Sequence, residues 1–222
     1  MVPAARGNST GSLLLKLLLA THNDHKRREF ARLLSGPGAA SWELDALPAG
    51  VMLPPEEAES FAENALVKAQ AAARATGRAT IADDSGIVAA ALGGAPGVRS
   101  ARYAGEDATD EQNLAKLLRE APAGSALEYV CALAYVDPAT AEEGRLFEGR
   151  CRGRLAADPR GEGGFGYDPA FLPDAGPPGL TMAELSDEQK DAISHRGRAA
   201  RALVAWLQPR DQVGGEARRR RR

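Results

Sequence analysis

The 222-residue chain has few of the residues that mark metal-binding, disulfide-bonded or membrane-embedded proteins. Its two cysteines, Cys131 and Cys151, and its three histidines have no zinc-ligand spacing. The longest apolar run, 13–20, is interrupted by Lys16 and is too short to span a bilayer. Residues 1–12 are small and polar and lack the features of a secretory signal. We therefore expect a cytoplasmic protein with reduced thiols and no membrane association.

Lysine is also scarce, because the chain has 23 arginines but only 5 lysines. A lysine kept in such a chain is a candidate for a site that needs a compact point charge rather than a planar fork. Three of the five, Lys26, Lys68 and Lys190, lie in the motifs described below.

The charges are unevenly distributed, since five positive charges form the terminal run 218–222. Removing them from the formal net charge of −2 leaves a body at −7, which disfavours a general nucleic-acid surface. We interpret 209–222 as a disordered Arg-rich tail and 1–12 as a disordered N-terminal extension. The remaining length and the 44% hydrophobic content are typical of one globular domain over 13–208.

Helix and strand signals alternate along this domain. Continuous or alternating apolar runs predict strands at 13–20, 42–47, 127–136 and 145–155. Capping residues predict helices that begin near Asn23 or Asp24, at Ser60, at Thr109 and at Ser186, with a last helix over 198–207. This alternation favours an α/β fold.

Two adjacent carboxylates, Asp83 and Asp84, follow the apolar run 79–82 and precede Ser85 and Gly86. We expect them at a strand end, where neighbouring side chains point to opposite faces and one carboxylate faces a given site. A carboxylate there can hold a divalent cation or accept a proton from water. Taken alone, the segment 82–86 is better explained as an ordinary polar turn.

Two further segments have features of a phosphate or nucleotide site. A short polar loop between a strand and a helix carries Lys26, and free backbone N–H groups at such a junction bind anions. The segment 161–169 is so rich in glycine that its backbone can approach a flat or charged group closely. The loop before Lys26 by itself is equally compatible with an ordinary solvated lysine on a helix rich in Arg.

Five motifs together resemble the inosine triphosphate pyrophosphatase family. They occur in the family's order and cover most of 13–207: LLLATHNDHK (17–26), SFAENALVKA (60–69), ATIADDSGIVAAALGGAPGVRSARYAGEDATD (79–110), GEGGFGYDPAF (161–171) and AELSDEQKDAISHRGRAA (183–200). The chain departs from the family at His22, where glycine is usual, and the link 173–179 is slightly long.

The resemblance implies an elongated two-lobed α/β fold around a long curved mixed β-sheet, with the active site in the cleft between the lobes. It also implies a magnesium-dependent homodimer that hydrolyses non-standard purine nucleoside triphosphates. ITP, dITP and XTP would be cleaved between the α and β phosphates, which gives the nucleoside monophosphate and pyrophosphate.

The family's functional residues can be carried over by motif. Asp84 would be the catalytic residue, and the metal ligands would be Asp84, Asp83 and Glu57 or its neighbour Glu56. Phe165 would stack on the base. The substrate-binding set would comprise Thr21, His22, Asn23, Asp24, His25, Lys26, Lys68, Ser85, Phe165, Gly166, Tyr167, Asp168, Lys190, His195 and Arg196. Within it the lysines would hold the triphosphate, and Asp168, His195 and Arg196 would read the base edge.

Other functions are less consistent with these residues. A related pyrophosphatase of the same architecture could act on modified pyrimidine or ordinary nucleotides, but the segments at 163–169 and 194–197 favour a purine. A nucleotide-binding or RNA-binding protein without turnover would not require Asp84 and the three lysines. A nicotinamide oxidoreductase is disfavoured because no GxGxxG follows a strand.

Neither end of the chain shows apolar periodicity, so we expect that neither packs on the body. Deletion of 1–12 and of 214–222 should leave the turnover and the melting temperature nearly unchanged, as measured by nucleotide hydrolysis and thermal denaturation. A large decrease in either quantity would show that one end docks on the domain.

Overall fold

The computed structural model describes residues 15–35, 42–140 and 144–208. The expected extension at 1–12 and the expected tail at 209–222 lie outside the described residues. The described strands are β1 (Leu15–Leu19), β2 (Trp42–Ala46), β3 (Thr80–Ala89), β4 (Ala126–Val136), β5 (Arg145–Leu155) and β6 (Phe171–Pro173). The described α-helices are α1 (Asp24–Leu33), α2 (Phe61–Thr76), α3 (Asp110–Glu120), α4 (Asp187–Ile193) and α5 (His195–Leu207).

The six strands form one mixed sheet in the order β2-β1-β3-β4-β5-β6. The strands β2, β1 and β3 are parallel, whereas β3, β4, β5 and β6 run antiparallel to their neighbours. The expected α/β fold with a mixed sheet is confirmed. The strand β3 belongs to both parts of the sheet, because it pairs with β1 on one side and with β4 on the other.

Most helices begin where local capping chemistry predicts. Asn23, Ser60, Thr109 and Ser186 each accept a hydrogen bond from a backbone N–H in the first turn of the helix that follows. Gly77 ends α2 in the left-handed conformation, at φ 66°. These ends depend on a few neighbouring residues, which is why they could be predicted.

Two local predictions are wrong. The strand β3 does not end at the paired aspartates but continues past them to Ala89, because β4 pairs with it along its whole length of ten residues. Gly86 therefore makes no turn; a Cβ there would lie 2.3 Å from Ser100 Oγ and 2.6 Å from the Gly97 carbonyl oxygen, so glycine admits a crossing segment. The last helix begins at His195 rather than at Arg198, since Ser194 caps it.

The buried side chains lie on either side of the centre of β3. Ile81 packs with Leu17, Leu133 and other residues of β1, β4, α1 and α5. Ile87, further along β3, packs with Leu117 of α3 and with β4, β5 and β6. The two carboxylates lie between these cores. None of the described helices is long and apolar enough to cross a membrane.

Helix α5 lies directly on β5 at Gly149, where a Cβ would come within 2.0 Å of the His195 carbonyl oxygen and 2.7 Å of the Ala199 nitrogen. The Gly149→Ala variant must push the first turn of α5 away from the sheet. We expect a loss of about 1–3 kcal/mol in the free energy of unfolding, measured by chemical denaturation.

The matched control is Arg152→Ala, on the exposed face of the same strand, which should change the unfolding free energy by no more than about 0.5 kcal/mol. A strand glycine in open space would be stabilised by alanine. A Gly149→Ala variant at least as stable as wild type would therefore contradict this packing.

Candidate active site

The alternation of side chains along β3 sends Asp83 and Asp84 to opposite faces of the sheet. Asp84 points to the face covered by α2, where it contacts Asn64. Asp83 points to the face covered by α1 and α5, where it contacts Lys26 and Arg196. Both carboxylates are buried, so each depends on the side chains that its own face provides.

Asp84 is held by two N–H donors and remains at the wall of a cleft. Its Oδ2 accepts from Asn64 Nδ2 at 2.9 Å, and its Oδ1 accepts from the Ser85 backbone nitrogen at 2.9 Å. Burial, together with the charge of Glu56, raises the pKa of Asp84 to about 6, although Lys68 and Lys26 oppose the shift. Asp84 is therefore poised to accept a proton near neutral pH.

A second carboxylate faces the same cleft from the loop before α2. It belongs to Glu56, which forms an ion pair with the buried Lys68. Lys68 Nζ also donates to the Asp83 carbonyl oxygen at 2.6 Å, so it connects the loop to β3. Glu57 is exposed and does not line this cleft in the described structure, whereas its neighbour Glu56 does.

Asp83 is the centre of a buried ion cluster. Its Oδ2 lies 3.0 Å from Lys26 Nζ and 3.6 Å from Arg196 Nε, and it accepts from Ser85 Oγ at 2.9 Å. Burial by itself raises the pKa of Asp83, but Lys26, Arg196 and Lys68 hold it well below its ordinary value. Asp83 is therefore a permanent anion that organises the cations around it.

The ion cluster extends along α1 to the glycine-rich segment. Glu29 of α1 is buried and accepts from Arg196 Nη1 at 3.1 Å; its other oxygen lies 2.5 Å from Lys190 Nζ. Lys190 also pairs with Asp168 Oδ2 at 2.7 Å. The cluster thus links β3, α1, α4, α5 and the segment that carries Phe165.

Aromatic rings and a guanidinium group form the other end of the cleft. Phe165 stacks on His25 at a centroid distance of 5.0 Å, and the Arg196 guanidinium lies 4.9 Å from the Phe165 ring centre. His195 stacks on Tyr129 at 4.6 Å with nearly parallel rings. Burial and Arg196 lower the pKa of His195 well below its ordinary value, so its ring is neutral. Its Nδ1 is buried without a hydrogen-bond partner in the described structure.

Comparisons with a family model, with relatives and with solved structures all point to one protein family. The model of the Ham1 family matches residues 17–206, nearly the whole described chain. The chain belongs to the Ham1 family.

Two relatives match over nearly their full lengths. The chain is 48% identical to the dITP/XTP pyrophosphatase of Geobacillus kaustophilus, over 91% of this chain and 98% of that protein. It is 46% identical to the dITP/XTP pyrophosphatase of Photorhabdus laumondii, over 86% of this chain and 98% of that protein.

Solved structures show the same fold. A HAM1 protein from Coxiella burnetii superposes with a TM-score of 0.77 at 36% identity, covering 87% of this chain and 98% of that one. A dITP/XTP pyrophosphatase from Mycobacterium abscessus has a TM-score of 0.65 at 41% identity and covers 87% of this chain and 100% of its own.

The tertiary structure places most of the expected Ham1 site residues around one cleft. The expected residues that lie on its wall are Asn23, Lys26, Asp84, Ser85, Phe165, Gly166, Tyr167, Asp168, His195 and Arg196, together with Glu56. The remaining expected residues, which do not line it in the described structure, are Thr21, His22, Asp24, His25, Glu57, Lys68, Asp83 and Lys190. Of these, Lys68, Asp83 and Lys190 lie buried behind the wall and contact residues that form it.

Sequence reasoning missed several residues that position the site. Glu29 bridges Arg196 and Lys190, and Tyr129 donates to Asp168 Oδ1 at 3.0 Å. Asn64 lies one turn before Lys68 on α2. A spacing of four residues places both on one face of the helix, but it does not reveal that Asn64 donates to Asp84. Nothing in the local sequence distinguishes Glu29 from the other charged residues of α1.

The raised pKa of Asp84 gives a testable effect of pH on stability. The folded state binds the proton more tightly than the unfolded state, so stability falls as the pH rises from the ordinary value of 3.8 to about 6. We expect Asp84→Asn, which removes the charge, to stabilise the protein by about 2–3 kcal/mol above pH 7. The gain should shrink as the pH falls below 6.

Chemical denaturation from pH 4.5 to 8 with EDTA present would measure this effect. The exposed Asp107 provides the control, because Asp107→Asn removes one carboxylate at the surface and should change the unfolding free energy by no more than about 0.5 kcal/mol. A stabilisation by Asp84→Asn that is constant across the pH range would mean that packing, and not titration, is responsible.

Proposed function

We propose that this chain hydrolyses non-standard purine nucleoside triphosphates, namely ITP, dITP and XTP, to the nucleoside monophosphate and pyrophosphate. The observation that carries the proposal is the buried Asp84, whose pKa is raised to about 6, on the wall of a cleft whose far end is aromatic and cationic. Membership of the Ham1 family, with relatives named dITP/XTP pyrophosphatase, supports it.

In this proposal Asp84 orients a water molecule and accepts its proton. The water oxygen forms a bond to the α-phosphorus, while the bond from that phosphorus to the oxygen bridging the α and β phosphates breaks and pyrophosphate leaves. Such transfers need positioning and neutralised charge more than covalent help from the protein. Asn64 and the Ser85 nitrogen fix the carboxylate for this purpose.

The triphosphate would lie between the start of α1 and α2. Asn23 caps α1, and Lys26, in its first turn, lines the cleft. Anions are stabilised at a helix N-terminus by free N–H groups and by the helix dipole. Lys68 would contribute its positive charge to phosphate binding from behind the cleft wall, since it is buried against Glu56 and the backbone of Asp83.

The residues present fit a magnesium ion held jointly with substrate. No cluster of three or more potential ligands occurs among the described His, Cys, Asp and Glu side chains, which disfavours an all-protein cage. Asp84 and Glu56 instead face one cleft and repel each other electrostatically. Magnesium is typically bound through one or two carboxylates plus waters and phosphate oxygens. We propose Asp84 and Glu56 as its ligands, whereas the cations around Asp83 give that carboxylate a supporting role.

A bound magnesium ion would neutralise charge on the phosphates.

The purine base would stack on Phe165. Arg196 and His195 would offer hydrogen-bond donors to the 6-oxygen, and Asp168 would accept a hydrogen bond from the ring N–H. Adenine reverses this donor and acceptor pattern, so ATP would leave buried polar groups unpaired.

We also propose that the enzyme acts on the cytoplasmic nucleotide pool as a homodimer. Light scattering on the purified chain would test the oligomeric state.

The products from ITP and magnesium test the function directly. We expect IMP and pyrophosphate, with ITP, dITP and XTP hydrolysed well above ATP in a substrate panel read by chromatography. IDP with inorganic phosphate would contradict the cleavage position. Equal rates for ITP and ATP would contradict the purine selectivity.

Replacement of the proposed base should lower the turnover strongly without unfolding the protein. Asp84→Asn keeps the shape of the side chain but removes its charge and its proton acceptor, so we expect about a 10²–10⁴-fold lower kcat on ITP. Pyrophosphate release measures the rate, and Asp107→Asn serves as the control. Hydrolysis by Asp84→Asn at near the wild-type rate would remove Asp84 from the mechanism.

A further inference from the structure

Tyr129 contacts both ends of the proposed base-reading group. It lies in β4, is buried and forms part of the cleft wall. Its ring stacks on His195 at a centroid distance of 4.6 Å and an interplanar angle of 5°. Its hydroxyl donates to Asp168 Oδ1 at 3.0 Å. One side chain therefore fixes the orientation of two residues that face the same ligand.

The hydrogen bonds of Asp168 leave limited capacity for a ligand. Oδ2 already accepts from Lys190 Nζ at 2.7 Å and from the Phe165 backbone nitrogen at 3.0 Å. Oδ1 accepts from Tyr129, its one hydrogen-bond donor among the described residues. An ionised carboxylate offers about four acceptor positions, so one remains and it belongs to Oδ1. The hydroxyl of Tyr129 thus occupies one position on Oδ1 and leaves the other free.

The hydroxyl is held in its donating form. Burial and the charge of Asp168 raise the pKa of Tyr129 well above its ordinary value, so the hydroxyl keeps its proton at neutral pH. Because it donates to a carboxylate, its bond belongs to the stronger, charge-assisted class. Tyr129 also packs against Phe171 at 4.6 Å, which keeps its ring in place.

We propose that Tyr129 is a positioning residue for purine selectivity, which it enforces by holding Asp168 as an acceptor for a ring N–H; this inference rests on the function proposed above. Hypoxanthine and xanthine present that N–H beside the 6-oxygen, whereas adenine presents a bare ring nitrogen there. A fixed Asp168 oxygen therefore attracts the first two bases and repels adenine. Without the bond from Tyr129, the Asp168 carboxylate can rotate, and it then neither attracts hypoxanthine and xanthine nor repels adenine.

The variant Tyr129→Phe isolates the hydroxyl, because it keeps the ring that stacks on His195 and Phe171. We expect kcat/KM for ITP to fall about 3- to 30-fold, while kcat/KM for ATP stays constant or rises. The ITP-to-ATP ratio therefore narrows, and a merely structural role would not change that ratio. Calorimetry of IMP and AMP binding to the folded variant should show the same narrowing.

Tyr135→Phe is the matched control. Tyr135 lies on the same face of the same strand, six residues further on, and packs edge-on against Trp206 at 5.2 Å, away from the cleft. The same loss of a hydroxyl there should leave both kcat/KM values and their ratio unchanged.

The outcomes separate this inference from the function on which it rests. Wild-type protein that prefers ITP, combined with an unchanged ITP-to-ATP ratio in Tyr129→Phe, would overturn the inference and leave the function standing. Equal losses for ITP and ATP would also overturn it, since they would reduce Tyr129 to a packing residue. Wild-type protein that releases no pyrophosphate from ITP would overturn both.

Discussion

The neutralisation of Asp83 is the constraint on which the rest of the structure depends. A carboxylate with no exposed surface costs several kcal/mol of lost hydration unless cations replace the water. Lys26 and Arg196 meet this requirement from α1 and α5. Two helices that are distant in sequence must therefore converge on β3, and removal of either cation would leave a buried charge unpaired.

The same cluster explains why two adjacent aspartates behave differently. Cations surround Asp83 and lower its pKa, whereas Asp84 is buried, faces the acidic Glu56 and has a raised pKa. The strand alternation assigns the two side chains to these environments. The two carboxylates therefore differ in what they can do. Asp83 stays ionised and anchors the surrounding cations, whereas Asp84 can exchange a proton near neutral pH.

The ion cluster also connects the two ends of the cleft. From Asp83 the contacts run through Arg196 and Glu29 to Lys190 and Asp168. The position of the glycine-rich segment that carries Phe165 is therefore tied to the helices that surround the proposed phosphate site. Buried polar networks of this kind are most specific when each member is satisfied. Among the described residues, Asp83 Oδ1, Arg196 Nε and His195 Nδ1 are buried without a hydrogen-bond partner.

Local chemistry by itself determined the helix starts at Asn23, Ser60 and Thr109, because a cap depends on three or four neighbouring residues. The motifs also indicated the family and most of the cleft wall. Only the tertiary structure decided that β3 continues through Asp83 and Asp84, because pairing with β4 outweighs the turn preference of Asp, Ser and Gly. It also decided that Glu56 rather than Glu57 faces the cleft and that Tyr129 reaches Asp168, since contacts between residues distant in sequence leave no local pattern.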